Sequence, residues 1–270
     1  MGSIPTSATK ITKKMKYKLD EKDLEQLFIT RRYRRRNPLL VFLSFAGLFV
    51  LIFLVVTYLL NFGAYNKKIA WWWQDEFGTS PHILVDSVKK YQNNQVEKNS
   101  DPEFPNISDN SIYIESIKLN APISFGIENN ESAVASNLKN GVIQISGTSL
   151  PGETGNVFIT GHSSNYPWVR SKYNSVFALL GNVVVGDLLQ IKFHDTIYIY
   201  QVSKNFVVAP SDVSVMNSND SKSTLTLMTC TPLGTNLKRL IVQADQIIPS
   251  PSYNKPTTNK NIGVVPDSVH

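Results

Sequence analysis

Cysteine is almost absent: Cys230 is the sole one in 270 residues. No disulfide can therefore form within the chain, and a tetrahedral thiolate metal site would need ligands the sequence does not contain. Histidine is scarce as well, at four. The bulk of the chain also lacks an excess of either charge. The formal net charge is +6, but residues 1–36 hold eleven Lys/Arg against four Asp/Glu, leaving sixteen against seventeen for the remainder. The basicity belongs to the amino-terminal tail, and a near-neutral body offers no surface for tracking phosphates, which argues against a nucleic-acid partner. There is no internal repeat.

Long apolar runs are missing except for one. Leu39 to Leu60 is uncharged throughout, and at ~1.5 Å per residue such a run covers ~33 Å against a hydrocarbon core of about 30 Å. Arg31-Arg32-Tyr33-Arg34-Arg35-Arg36 precedes it directly and only Lys67 and Lys68 follow closely. That asymmetry predicts a single-pass membrane protein with its amino terminus in the cytoplasm and the rest outside. The run is longer than a signal-peptide core, so an uncleaved anchor in the lipid bilayer is expected. The organisation read from composition is a basic cytoplasmic tail (1–38), the transmembrane anchor (39–60), a polar extracytoplasmic stalk (61–109) with one short helix near Ile83 to Tyr91, a folded domain (110–248), and a Pro, Asn and Thr-rich disordered tail (249–270). Trp71-Trp72-Trp73 suits either the outer membrane interface or a patch docked on the folded domain.

Within the folded part, short β-like runs recur between turn signals: Ile112–Ile117, Pro122–Phe125, Val142–Ile145, Asn156–Thr160, Leu188–Phe193, Ile197–Val208, Thr224–Thr229 and Arg239–Ile247. Runs spaced in this way predict a sandwich or barrel. Ser175–Leu180 reads as a helical turn or two.

A single cysteine is more often a buried, inert residue than a reactive one. Cys230, however, closes one strand, Pro232 and Gly234 break the pairing, and Arg239 opens the next strand. Neighbouring strands would then bring thiol and guanidinium to one sheet edge. His162 follows Gly161 at the end of another strand and supplies the imidazole that a thiol nucleophile needs. His82, His194 and His270 lie in the stalk, at a strand-to-turn position and at the last residue, and are poor candidates.

These residues resemble a known family. Thr226-Leu227-Met228-Thr229-Cys230 is similar to the TLxTC signature of the sortases, the cysteine transpeptidases of the bacterial cell surface. Gly161-His162-Ser163 is similar to their histidine loop, and Arg239 to their arginine at the start of the last strand. Leu138–Val142, Pro151–Asn156 and Ile117–Ile123 resemble family patterns too, so that the likeness runs from about Asn110 to Ile248. It implies a mainly β fold, an eight-stranded sortase-type β-barrel preceded by one transmembrane helix. It further implies Cys230 as nucleophile, His162 as general acid and base, and Arg239 on the substrate carbonyl or oxyanion. Thr229 is expected to add an oxyanion or substrate donor, with a plain strand-forming role as the alternative.

The reaction so implied is cleavage of an LPxTG-like sorting-signal peptide through an acyl-thioester, followed by transfer to an amine acceptor such as a peptidoglycan stem peptide or a pilin lysine. No cofactor is expected. Glu128, Glu131 and Glu153 are scattered loop carboxylates and are read as solvated charges, so no metal is expected. The short Thr231–Lys238 connection resembles class C, which assembles pili. A second apolar span is wanting after the barrel, and the aromatic lid is only suggested by Asp101-Pro102-Glu103-Phe104, so the subclass stays open between surface anchoring and pilin polymerisation. The other readings are a non-catalytic tethered β-barrel that binds a surface peptide or polymer, and a plain cysteine peptidase.

Overall fold

The computed structural model describes residues 37–77, 84–86, 88–89, 104–166, 168–217 and 221–257. The basic tail of residues 1–36 lies outside them, as do Asp101–Glu103 and residues 258–270. Two compact units divide at Phe53 and Leu54. In the first, the described residues are the start of helix α1 (Pro38–Leu60), a 23-residue helix with no charged residue and none of its side chains buried. It is long and apolar enough to cross a membrane.

The second unit holds α2 (Phe62–Phe77) and a closed barrel. The strands are β1 (Ser111–Ile114), β2 (Leu119–Ile127), β3 (Val142–Ile145), β4 (Gly155–Thr160), β5 (Leu188–Phe193), β6 (Thr196–Val208), β7 (Ser223–Thr231) and β8 (Lys238–Ile248), with α3 (Glu131–Asn137) between β2 and β3. Their order around the barrel is β1-β2-β3-β4-β7-β8-β6-β5. Closure leaves no unpaired strand edge. Pairing is antiparallel except for β2 with β3 and β4 with β7. The parallel partner β4 is buried along all six residues, as expected of a strand covered on both faces.

Side-chain alternation sorts the apolar residues into two cores. Val157, Ile159, Leu225, Leu227, Leu240 and Val242 join the larger cluster with Ile112, Ile191 and Phe177. The opposite faces of the same strands, Phe158, Met228, Cys230 and Ile241, pack with Val134 and Leu138 of α3 and with Val215 and Met216 of the 3₁₀ turn Val213–Met216. Two polar side chains buried in this region are paired: Thr226 Oγ1 donates to Asn156 Oδ1 at 2.8 Å, and Asn156 Nδ2 donates to the Val215 carbonyl at 3.0 Å.

All eight expected strands form, β3 and β5 with the expected bounds and the other six with shifted ones. The run expected through Ile117 ends at Ile114, because residues 115–118 turn and Lys118 takes a positive φ of 48°. α3 was not anticipated, although Asn130 caps it by accepting from the Ala133 amide at 2.9 Å. The expected turns after Ser175 are of 3₁₀ type, with Ala178 N bonded to Ser175 O and Leu180 N to Phe177 O.

Two expectations about the flanks are corrected. The polar stalk is in part packed: Trp71 Nε1 donates to Ser116 O at 3.0 Å and its ring lies on the larger core, while Trp72 and Trp73 are exposed. Leu84 and Val88, one helical turn apart, bury against Leu188, Ile199 and Ile248. Phe104 of the suggested lid packs on that same cluster, at the opposite end of β8 from Arg239. The tail expected to be disordered from residue 249 instead forms a 3₁₀ turn, Pro251–Tyr253, and pairs Lys255 with Glu153. Asn254 is the reason: its amide donates to Ser223 Oγ at 2.7 Å and Gln246 Oε1 at 2.9 Å.

Candidate active site

Register brings the three sequence-predicted residues together. In the parallel β4–β7 pair Thr160 lies opposite Met228; two residues further along each chain come His162 and Cys230. In the antiparallel β7–β8 pair Cys230 lies opposite Arg239. Because Met228, Cys230 and Ile241 share one core and side chains alternate with period two, Cys230 and Arg239 project from the same face of the sheet. All three residues are nearly buried, at 5% exposure for Cys230, 5% for His162 and 2% for Arg239.

The chain past β4 is held against β7 rather than left as a loose loop. Gly161 N donates to Met228 O at 3.2 Å, Thr160 Oγ1 donates to the same carbonyl at 3.2 Å, and Thr229 Oγ1 donates to Gly161 O at 2.7 Å. A Cβ at Gly161 would stand 2.8 Å from Phe177 Cδ2 and 2.9 Å from Val142 Cγ1, so this position has no room for a side chain. Phe177 N in turn donates to His162 O at 2.8 Å. The Thr229–Gly161 contact accords with the strand-forming alternative for Thr229. Its hydroxyl hydrogen is committed to Gly161, and strand alternation puts its side chain on the face opposite Cys230. Thr229 ties the histidine segment to the cysteine strand.

Arg239 is anchored at one end only. Nη1 donates to Asn236 O at 2.8 Å, with a longer contact to Lys238 O at 3.4 Å, while Nε is buried without a hydrogen-bond partner. Among the described residues the one ion pair is Lys192–Asp195, so no carboxylate there neutralises this guanidinium. A buried cation with an unmet donor is prepared for an oxygen that is not part of the fold. Ser163 Oγ, next to His162, is a second buried polar atom with no partner.

Burial pushes the Cys230 thiol up from its ordinary range, and the Arg239 charge pulls it part of the way back. Desolvation is the larger influence, so ionisation of this thiol draws on a base and a cation beside it.

Sequence reasoning missed Asn165. Its Nδ2 lies 3.3 Å from His162 Nε2 and 3.2 Å from Asn174 Oδ1, and its Oδ1 accepts from Tyr166 N at 2.8 Å. The histidine segment also meets the β7–β8 connection, where Gly234 N donates to Ser164 Oγ at 3.0 Å. A cavity of about 220 Å³ lies between these segments, lined by Asn61, Asn165, Tyr166, Trp168, Gly234 and Asn236. A larger one of about 410 Å³ lies beside Lys67, Trp71 and Lys172, and neither cavity is lined by Cys230, His162 or Arg239. Of the three loop carboxylates, Glu128 accepts from Asn130 Nδ2 and Glu153 from Leu150 N, both at 2.9 Å; Glu131 opens α3.

The sortase domain family matches residues 112–247, about half of the chain. No curated protein matches. Solved structures do. Streptococcus agalactiae sortase C1, in complex with MTSET, is 31% identical with a TM-score of 0.44, over 51% of this chain and 67% of that one. A Clostridium perfringens sortase D5 transpeptidase is 27% identical with a TM-score of 0.43, over 65% and 93%. A lid mutant of sortase A from Corynebacterium diphtheriae is 27% identical with a TM-score of 0.44, over 61% and 91%.

Proposed function

The chain belongs to the sortase family, and we propose that it works as a membrane-anchored cysteine transpeptidase, cleaving an LPxTG-like sorting signal of secreted proteins and passing the acyl group to an amine. One observation carries this reading: Cys230 stands on β7 between the His162 segment on the β4 side and Arg239 on β8. A nucleophile needs a base on one side and a charge acceptor for the oxyanion on the other.

In the first half-reaction Cys230 Sγ attacks the scissile carbonyl carbon and its proton passes to His162. The oxygen that gains charge is met by the Arg239 guanidinium, whose unmet buried donor suits an oxyanion better than a neutral carbonyl. The carbon–nitrogen bond then breaks, His162 returns the proton to the departing amine, and a thioester remains on Cys230. In the second half-reaction an incoming amine loses its proton to His162 and attacks the thioester. The sulfur–carbon bond breaks, the sulfur leaves as thiolate, and an amide is formed. Thr229 holds the segment carrying His162 and touches no substrate.

α1 is the anchor in this reading, and the arginine run before it keeps the amino terminus in the cytoplasm and the barrel outside. The test is a product analysis. The full chain in detergent, given an LPxTG-like peptide, should cleave it slowly alone and convert it mainly to an amide when peptidoglycan-derived or lysine-bearing amines are supplied. Exclusive hydrolysis across that panel would leave a peptidase.

A further inference from the structure

Asn165 stands where the proton chemistry of His162 is decided. The orientation of its amide is fixed from two directions. Its Oδ1 accepts from the Tyr166 backbone N–H at 2.8 Å. Asn174 Nδ2 is spent on the Val169 carbonyl, so Asn174 presents only its oxygen to Asn165 Nδ2, at 3.2 Å. A backbone donor and a backbone carbonyl thus set both amides, and the group 3.3 Å from His162 Nε2 is an NH₂. Facing a donor, Nε2 must offer its lone pair, and a neutral imidazole then carries its hydrogen on Nδ1.

We propose that Asn165 is a positioning residue for His162: it holds the neutral imidazole in the Nδ1–H tautomer and makes Nε2 the nitrogen that takes and returns the proton. The second half rests on the transpeptidase reading above. When Nε2 accepts a proton from the thiol or from an attacking amine, the imidazolium bears hydrogen on both nitrogens, and the Asn165 contact becomes donor against donor. The amide yields without losing its place, because its other hydrogen stays on Asn174 Oδ1. When the proton leaves with the departing amine, the contact forms again. Asn165 also lines the cavity of about 220 Å³ beside Ser164 and Gly234.

The experiment is nitrogen-15 spectroscopy of the full chain in detergent micelles, with histidine labelled and His162→Gln used to assign the resonance. In the wild type the neutral His162 ring should show a protonated Nδ1 and an unprotonated Nε2. Asn165→Asp, which puts an acceptor opposite Nε2, should reverse the tautomer, and Asn165→Ala should give a mixture. A wild-type ring protonated on Nε2, or a tautomer unaltered in both variants, would overturn the proposal. The wild-type spectrum alone decides if a variant fails to fold. The spectra need no substrate, so failure of the tautomer and absence of the amide product are separate results.

Discussion

Arg239→Ala should slow alkylation of Cys230 as well as turnover, because the thiol and the guanidinium are paired across β7 and β8. Facing residues on one side of an antiparallel pair have Cβ atoms about 5 Å apart. With the charge carried further out, a separation of ~6–8 Å at an effective dielectric of about 20 gives roughly 2–3 kcal/mol of charge–charge attraction. Arg239 is what pulls the thiol down against burial, so removing it leaves burial alone and moves the thiol further up. At pH 7 the thiolate fraction should fall by about 30- to 100-fold, and the greater intrinsic nucleophilicity of a more basic thiolate recovers about half of that on a logarithmic scale. The net expectation is a five- to tenfold slower reaction with iodoacetamide near neutral pH, with the thiol's titration displaced further upward. Arg239→Lys keeps the charge and should alkylate at close to the wild-type rate, yet turn over poorly, because an ammonium lacks the planar fork of donors. The assay is intact-mass kinetics of alkylation from pH 5 to 10, with thermal melts as the control for folding. An Arg239→Ala variant that alkylates at the wild-type rate throughout this range would refute the electrostatic coupling, and Arg239→Lys with full turnover would refute the role of the fork.

Three further outcomes are expected. Gly161→Ala, whose new Cβ would meet Phe177 and Val142, should displace the segment carrying His162 and lower kcat more than tenfold while costing roughly 1–3 kcal/mol of stability, measured by turnover and denaturant unfolding on one preparation. Thr229→Val should lose its bond to Gly161 O and with it about 1 kcal/mol, while retaining Cys230 alkylation; loss of alkylation with stability intact would return Thr229 to the site. Protease added to intact cells with a permeable wall should remove the barrel and spare an amino-terminal tag, and the converse pattern would reverse the proposed topology.

Much of the barrel was legible because its strands are written in β-branched and aromatic residues bounded by Gly, Pro and Asn, and Cys230, His162 and Arg239 each sit where such a run stops or starts. The facing of Thr229 was legible from period two alone, since adjacent strand residues point opposite ways and Thr229 does not share the face of Cys230. Asn165 carried no comparable signal. Its contact with His162 depends on how the segment from Ser163 to Tyr166 folds back and on Asn174, nine residues along, which no local pattern specifies. The flanks were misjudged because polar composition hides sparse anchors. Leu84 and Val88 are two apolar residues in a polar stretch, and the tail is held through Asn254, a residue whose side-chain bonds only tertiary structure supplies.

The central claim is that Cys230 carries the acyl group between peptide and amine, and intact-mass analysis of the full chain caught with an LPxTG-like peptide tests it most directly. A species heavier by the acyl fragment should appear within one turnover and map to Cys230. It should vanish in Cys230→Ala and be discharged by hydroxylamine or by an added amine, with release of the corresponding amide. Cleavage of the peptide without any adduct on Cys230, or with undiminished rate in Cys230→Ala, would contradict the account.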